Sequence, residues 1–331
     1  LLSEKEIRQQ VFNIASETDF NRLCLAVFGF QLRENTLYRD FVKSLKIKEA
    51  TVTHYTEIPF LPVEFFKTQE VICGEPTEYA TVFSSSGTTG QITSKHFVTD
   101  VDLYKESFLK GFELFYGDVK DYCILALLPN YLERSGSSLV YMFDELIKRS
   151  AHSLSGFYLH NMDELKNTLK QLQKTPQKVL LLGVTYALLD LAESGIALSD
   201  QVIVMETGGM KGRRKEMIKE EVHEILKTQF GIKTIHSEYG MTELLSQAYS
   251  KQDGLFECPP WMRVLVRDAN DPFQYLKQGR GGGINVIDLA NLYSCSFIET
   301  KDLGKIHDDN RFEILGRFDN SDLRGCNLMI S

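Results

Sequence analysis

Apolar and polar positions along this chain fall into two alternating textures. Short unbroken apolar runs, Cys123-Ile124-Leu125-Ala126-Leu127-Leu128 and Val179-Leu180-Leu181-Leu182-Gly183-Val184, have strand length and offer no polar face to water. They predict strands buried on both faces, as in a parallel sheet covered by helices. Between such runs the apolar residues return at helical spacing: Tyr104, Phe108, Phe112 and Phe115, then Ile218, Val222 and Ile225, with Gln229 as a polar last member. The alternation from about Ala80 to Tyr239 predicts an α/β layer fold with a mostly parallel sheet. Strands are expected over 79–83 and 233–235.

After Glu243 the texture changes. Short strand-like pieces (Met262 to Val266, Gly283 to Ile287, Cys295 to Glu299, Phe312 to Leu315) are separated by Gly, Asp and Asn. The expected division is an α/β body over 1–245 and a β-rich C-terminal subdomain over 246–331. Gly279-Arg280-Gly281-Gly282-Gly283 reads as a mobile turn, and Asp302 as a residue near a turn.

Composition narrows the function classes. The 331 residues, 43% hydrophobic and 25% charged, suit an ordinary soluble globular protein with its own core. A net charge of −8 argues against a large nucleic-acid footprint. Six cysteines stand singly, with no CxxC and no zinc spacing, and read as reduced thiols. No run approaches a membrane span, and the first residues have no secretory pattern, so a cytoplasmic location is expected.

Three segments carry candidate chemistry. The first is Ser84-Ser85-Ser86-Gly87-Thr88-Thr89-Gly90, with Lys95 beyond it. Hydroxyls and flexible glycines let a backbone wrap phosphate oxygens, and Lys95 adds positive charge, although such strings also form plain polar turns. The segment is not the GxxxxGK[ST] loop, since no Lys follows Gly90. The second is His236-Ser237-Glu238-Tyr239-Gly240-Met241-Thr242-Glu243, placed where a strand should leave the sheet and where open α/β sheets bind ligands. Tyr239 suits stacking on a base, Thr242 a phosphate bond, and Glu243 a hard cation such as Mg²⁺; the plain alternative is a capped turn. The third is Thr300-Lys301-Asp302-Leu303-Gly304, followed by Gly316-Arg317-Phe318-Asp319 and Leu323-Arg324-Gly325. Its functional reading is a carboxylate gripping two ribose hydroxyls, with Arg317 beside it.

Together these segments resemble the adenylate-forming superfamily of acyl-CoA synthetases, peptide-synthetase adenylation domains and firefly-type luciferases. Ser84 to Lys95 resembles its phosphate loop, and Tyr239 to Glu243 its Tyr-Gly-x-Thr-Glu motif. Asp302 resembles the ribose-binding Asp of its Thr-Gly-Asp motif, here Thr-Lys-Asp, and Arg317 with Asp319 its Gly-Arg-x-Asp segment. A closer resemblance, over nearly the whole chain, is to the LuxE-like acyl-protein synthetases of bacterial bioluminescence. It rests on Ile58-Pro59-Phe60-Leu61-Pro62, Leu128-Pro129-Asn130-Tyr131-Leu132-Glu133-Arg134 and Glu206-Thr207-Gly208-Gly209-Met210-Lys211-Gly212-Arg213. Cys258-Pro259-Pro260-Trp261 and Arg324-Gly325-Cys326 extend it.

The resemblance implies the adenylate-forming large-domain fold and an enzyme that uses ATP and Mg²⁺ to join a carboxylic acid, a fatty acid in the bioluminescent group, to AMP. Implied catalytic residues are Lys95, Thr242, Glu243 (also the metal ligand) and the acyl-accepting Cys326. Implied nucleotide contacts are Ser84 to Gly90, Gly208, Gly209, Glu238, Tyr239, Gly240, Asp302 and Arg317. Two departures qualify it: the chain ends at Ser331, without the lid domain that supplies the superfamily a lysine, and Met210 stands where many members have Glu. Three function classes follow: acyl transfer to a protein cysteine, here or on an acyl-carrier or reductase partner; transfer to coenzyme A, as in phenylacetate-CoA ligases; and a non-catalytic nucleotide-binding relative.

Overall fold

The computed structural model describes residues 2–74, 79–85, 92–128, 136–158, 161–208 and 217–318. In chain order the strands are β1 Leu61–Pro62, β2 Thr81–Ser84, β3 Lys95–Val98, β4 Tyr122–Leu127, β5 Gly156–Phe157, β6 Lys178–Gly183 and β7 Val202–Glu206. They continue as β8 His236–Tyr239, β9 Ala248–Ser250, β10 Met262–Arg267, β11 Gly281–Asp288, β12 Phe297–Ile306 and β13 Phe312–Arg317.

The two apolar runs become β4 and β6, adjacent and parallel, with every residue of β4 buried. They belong to a six-stranded sheet in the order β5-β4-β6-β7-β8-β9, parallel except for β9. Helices Ser138–Ser150, Met162–Leu172, Thr185–Ala192 and Lys219–Phe230 connect its parallel members. Since β5 lies on one side of β4 and β6 on the other, the strand order reverses at β4. A crevice opens at the carboxyl ends of the strands at such a reversal.

The second sheet is built around β12, which is long enough to serve two neighbours along one edge. Its first half pairs in parallel with β1 and its second half antiparallel with β13. Along its other edge runs β11, followed by β10. Residues on both sides of position 245 therefore share each sheet: β9 completes the first, and β1 joins the second. The β2–β3 pair forms a third, small sheet.

Four local expectations are corrected. Gly281 to Gly283 are strand, and only Gly279 has positive φ. The glycines are needed for close approach: a Cβ on Gly282 would collide with the Arg267 carbonyl, and one on Gly283 with its guanidinium. Asp302 lies within β12 and not at a turn. β8 begins at His236, so the expected strand over 233–235 is displaced into the motif itself. The buried stripe of helix Lys219–Phe230 is Val222, His223, Leu226 and Phe230, while Ile218 is exposed and precedes the helix. Trp261 is a buried anchor, its indole N–H donating to Ser107 and Ser246 at 3.1 Å.

Candidate active site

The Tyr-Gly-x-Thr-Glu segment leaves β8 and turns toward the second sheet, where its backbone is clamped by residues far away in sequence. Thr242 O lies 2.9 Å from His96 Nδ1, and His96 Nε2 lies 3.0 Å from Asn291 Oδ1. Asn291 also donates its amide to the Glu243 carbonyl at 2.8 Å. Burial pushes the His96 imidazole down to about 4, so at neutral pH it is uncharged and donates to only one of the Thr242 and Asn291 oxygens. Just beyond, the fully buried Asp288 carboxylate accepts the N–H groups of Leu245 (2.7 Å) and Ser246 (2.9 Å). The segment is thereby held from both strand systems before any ligand arrives.

Tyr239 and Asp302, remote in sequence, are brought together. The Tyr239 hydroxyl donates to Asp302 Oδ2 at 2.8 Å, and Arg317 Nε stands 3.1 Å from Oδ1. Burial lifts the Asp302 carboxyl above the usual range, although Arg317 and the Tyr239 hydroxyl pull the other way. Arg317 arrives by register, since β13 pairs it directly with Asp302 on β12. Its side chain is 68% exposed, so its hold on Asp302 is weak and replaceable. The Tyr239 ring packs against Phe256 and Phe312, with centroids 5.9 and 5.6 Å away.

Lys95 is exposed and opens β3, paired directly across from Ser84. Ser84 and Ser85 line a cavity of about 150 Å³, together with Thr207, Glu238, Gly240 and Thr242. It sits at the carboxyl ends of the parallel strands, roofed by Ser137 and Ser138 at the start of helix Ser138–Ser150. Gly208, at φ +76°, donates its N–H to Glu206 Oε2 at 2.7 Å. Glu206 is a buried charge held by Lys219 and by the hydroxyls of Ser237 (2.7 Å) and Thr185 (3.1 Å). Burial alone would raise its carboxyl, but the Lys219 ammonium, with His223 and the Ser237 hydroxyl, holds it well below the usual range. Glu243 is buried, and burial raises its carboxyl above the usual value against a hydrogen bond from Ser94. Among the described residues no group of three His, Cys, Asp or Glu could hold a metal.

Ser86, Gly87, Thr88, Thr89, Gly90, Gly209 and Cys326 lie outside the described residues. The other five cysteines are free thiols. Burial pushes Cys123 up to about 11 and Cys258 and Cys295 up to about 12, and raises Cys24 and Cys73 as well. His236 is part-buried, with its Nδ1 3.1 Å from the Tyr116 hydroxyl. Sequence reasoning missed His96, Asn291, Asp288 and the Lys219 partner of Glu206. Only Glu206 carried a signal, a lone charge ending the apolar run Val202-Ile203-Val204-Met205.

No family model matches the chain. It is 22% identical over 334 residues to the long-chain-fatty-acid–luciferin-component ligase of Vibrio harveyi, covering 94% of this chain and 87% of that protein. Among solved structures it resembles 2-hydroxyisobutyryl-CoA ligase in complex with 2-HIB-AMP and CoA, with a TM-score of 0.67 at 12% identity over 97% of this chain and 75% of that one. ATP-bound MatB from Rhodopseudomonas palustris matches 74% of this chain and 49% of its own, with a TM-score of 0.53 at 17% identity. The protein thus has the fold of the adenylate-forming ligases and is similar, along nearly its whole length, to a luciferin-component ligase.

Proposed function

We propose that this protein is an ATP-dependent ligase that converts a carboxylic acid to acyl-AMP and passes the acyl group to a thiol. The observation that carries the reading is the buried Tyr239–Asp302 pair, edged by the exposed Arg317 and joined, through the clamped Gly240–Glu243 turn, to a cavity at the strand ends. Asp302 would accept the ribose hydroxyls once Arg317 yields, and Tyr239 holds the carboxylate in place. Gly208 and Gly209 would border the base. Ser84 to Gly90 and Thr242 would donate to phosphate oxygens, and Lys95 would offset their charge.

In the first step a carboxylate oxygen bonds to the α-phosphorus as the bond to pyrophosphate breaks, and positioning with electrostatic stabilisation supplies the rate. Mg²⁺ fits Glu243, a buried carboxyl with no lysine or arginine ion pair among the described residues; Mg²⁺ commonly takes one carboxylate plus phosphate oxygens. When bound it would neutralise charge on the phosphates. In the second step a thiolate bonds to the acyl carbon and AMP departs with the electron pair. The five described cysteines are poor candidates, because burial keeps them protonated. Cys326 is therefore the acceptor proposed within this chain, and a partner's thiol or coenzyme A the acceptor outside it. The coenzyme A reading draws support from the ligase structure solved with CoA.

Acid-dependent exchange of pyrophosphate into ATP tests the first step across a panel of acids. Intact-mass measurement after incubation with ATP, Mg²⁺ and the best acid tests the second. One acyl mass, labile to neutral hydroxylamine and lost in Cys326→Ser, is expected. Exchange without an adduct, with coenzyme A consuming the adenylate, would assign the acceptor to coenzyme A.

A further inference from the structure

The cavity beside Thr242 is polar in a way that phosphate binding does not explain. Along β8, side chains alternate between faces, so Ser237 and Tyr239 share one face and Glu238 takes the other. Tyr239 reaches Asp302, whereas Glu238 lines the cavity with Thr207 and Gln247. Glu238 is only 7% exposed, yet its carboxyl has no hydrogen-bond partner among the described residues. The Thr207 hydroxyl is buried and equally without a partner, and the buried Gln247 amide has none among the described residues. Of these three, the Thr207 hydroxyl is wholly shut from solvent, and buried polar groups are nearly always satisfied; the Glu238 carboxyl and Gln247 amide line the same cavity with no protein partner among the described residues, so the three together ask for a ligand that completes them. Gly240 leaves room for the Glu238 carboxyl as it lies here, since a Cβ on Gly240 would meet Oε1.

Charge and size limit that ligand. Burial, with the nearby Glu206 charge, pushes the Glu238 carboxyl up to about 8, so at neutral pH it is mostly an acid that can donate as well as accept. A space of about 150 Å³ is the size of a cavity that holds one benzene ring. Leu139, Met142 and Met241 supply its apolar wall.

We propose that the acid activated in this cavity is short and carries a neutral hydrogen-bonding substituent, a hydroxyl being the simplest, which Glu238, Thr207 and Gln247 recognise. The proposal rests on the ligase reading above and moves Glu238 from the nucleotide set to the acid set. A site built to bond a hydroxyl discriminates strongly against the analogue that lacks it, because its own polar groups are then left unpaired.

The test compares matched acids, 3-hydroxybutyrate with butyrate and 4-hydroxybenzoate with benzoate, alongside tetradecanoate. Pyrophosphate exchange and calorimetric binding are both read, with wild type, Glu238→Gln and Glu238→Leu. In at least one pair the hydroxylated acid should be favoured about tenfold or more in kcat/KM and in affinity. Glu238→Leu should bring that ratio close to one while ATP still binds, and Glu238→Gln, which keeps a donor and an acceptor, should retain most of it. Equal use of both members of each pair, or a preference for tetradecanoate, overturns the proposal, as does a hydroxyl preference that survives Glu238→Leu. If Glu238→Leu does not fold, Thr207→Val takes its place under the same criteria. Exchange with no acid, in a protein whose calorimetry still shows the hydroxyl preference, would sink the ligase reading alone.

Discussion

Two glutamates at the ends of neighbouring strands have opposite surroundings. Glu206, closing β7, is a charge surrounded by a lysine, two hydroxyls and a backbone N–H. Glu238, on β8, is also buried, though it lines a cavity, and has no donor of its own among the described residues. The first arrangement is complete and braces the Gly208 turn. The second is incomplete within the protein. Buried acids thus separate into braces and receptors by whether the fold itself supplies their partners.

The comparison breaks most visibly if Glu206 is removed. Glu206→Leu strands the Lys219 ammonium and two hydroxyls, and should cost about 3–5 kcal/mol of stability in urea unfolding. A cost below about 1 kcal/mol would show that Glu206 is no brace.

The pH dependence of stability sharpens it next. The Glu238 value is raised when folded, so its contribution is present below the ordinary Glu value of 4.5 and is lost as pH rises toward 8. Glu238→Gln should remove a downward slope of up to about 1.4 kcal/mol per pH unit in that window. Below pH 6.5 the depressed His96 acts in the opposite sense: stability falls as acid drives its protonation toward a folded value of about 4. Glu238→Gln should leave that limb, while His96→Gln should flatten it.

At the proposed nucleotide face the expected effects are smaller. Asp302→Ala should weaken ATP binding by ~1–3 kcal/mol in calorimetry, through loss of charge-assisted bonds. Wild-type affinity in that variant would remove Asp302 from the nucleotide site. Tyr239→Phe deletes only the hydroxyl that steadies Asp302, and should cost about 1 kcal/mol in the same measurement.

Much of the fold was legible in the sequence because it rests on local pattern. β4 and β6 announce themselves as apolar runs, and the helix bearing Tyr104, Phe108 and Phe112 shows its buried stripe. The residues Tyr239 and Asp302 each stood out within a motif by residue type, but their bond to each other did not. Pairing across sheets was not legible. Nothing local to Asn291 or His96 shows that they meet beneath Thr242, 146 residues from His96. The glycines of β11 mislead for a related reason, since they resemble a turn until the Arg267 main chain and guanidinium occupy the space that a side chain would need. Which face of β8 a residue takes depends on register, so Glu238 was grouped with its sequence neighbours instead of with the cavity.

The junction of β1 with β12 sets the order in which this protein can be completed. Leu61 pairs with Ile298, and the Gln31 amide donates to the carbonyl of Asn291, 260 residues later. Contacts of that span form only after a long loop closes, which slows folding. On a ribosome, the early helix Glu17–Glu34 must wait with Phe28 and Phe30 uncovered until the late strands emerge. During that interval the nascent chain is exposed to aggregation, and a chaperone that shelters its first helices would raise the yield of folded protein.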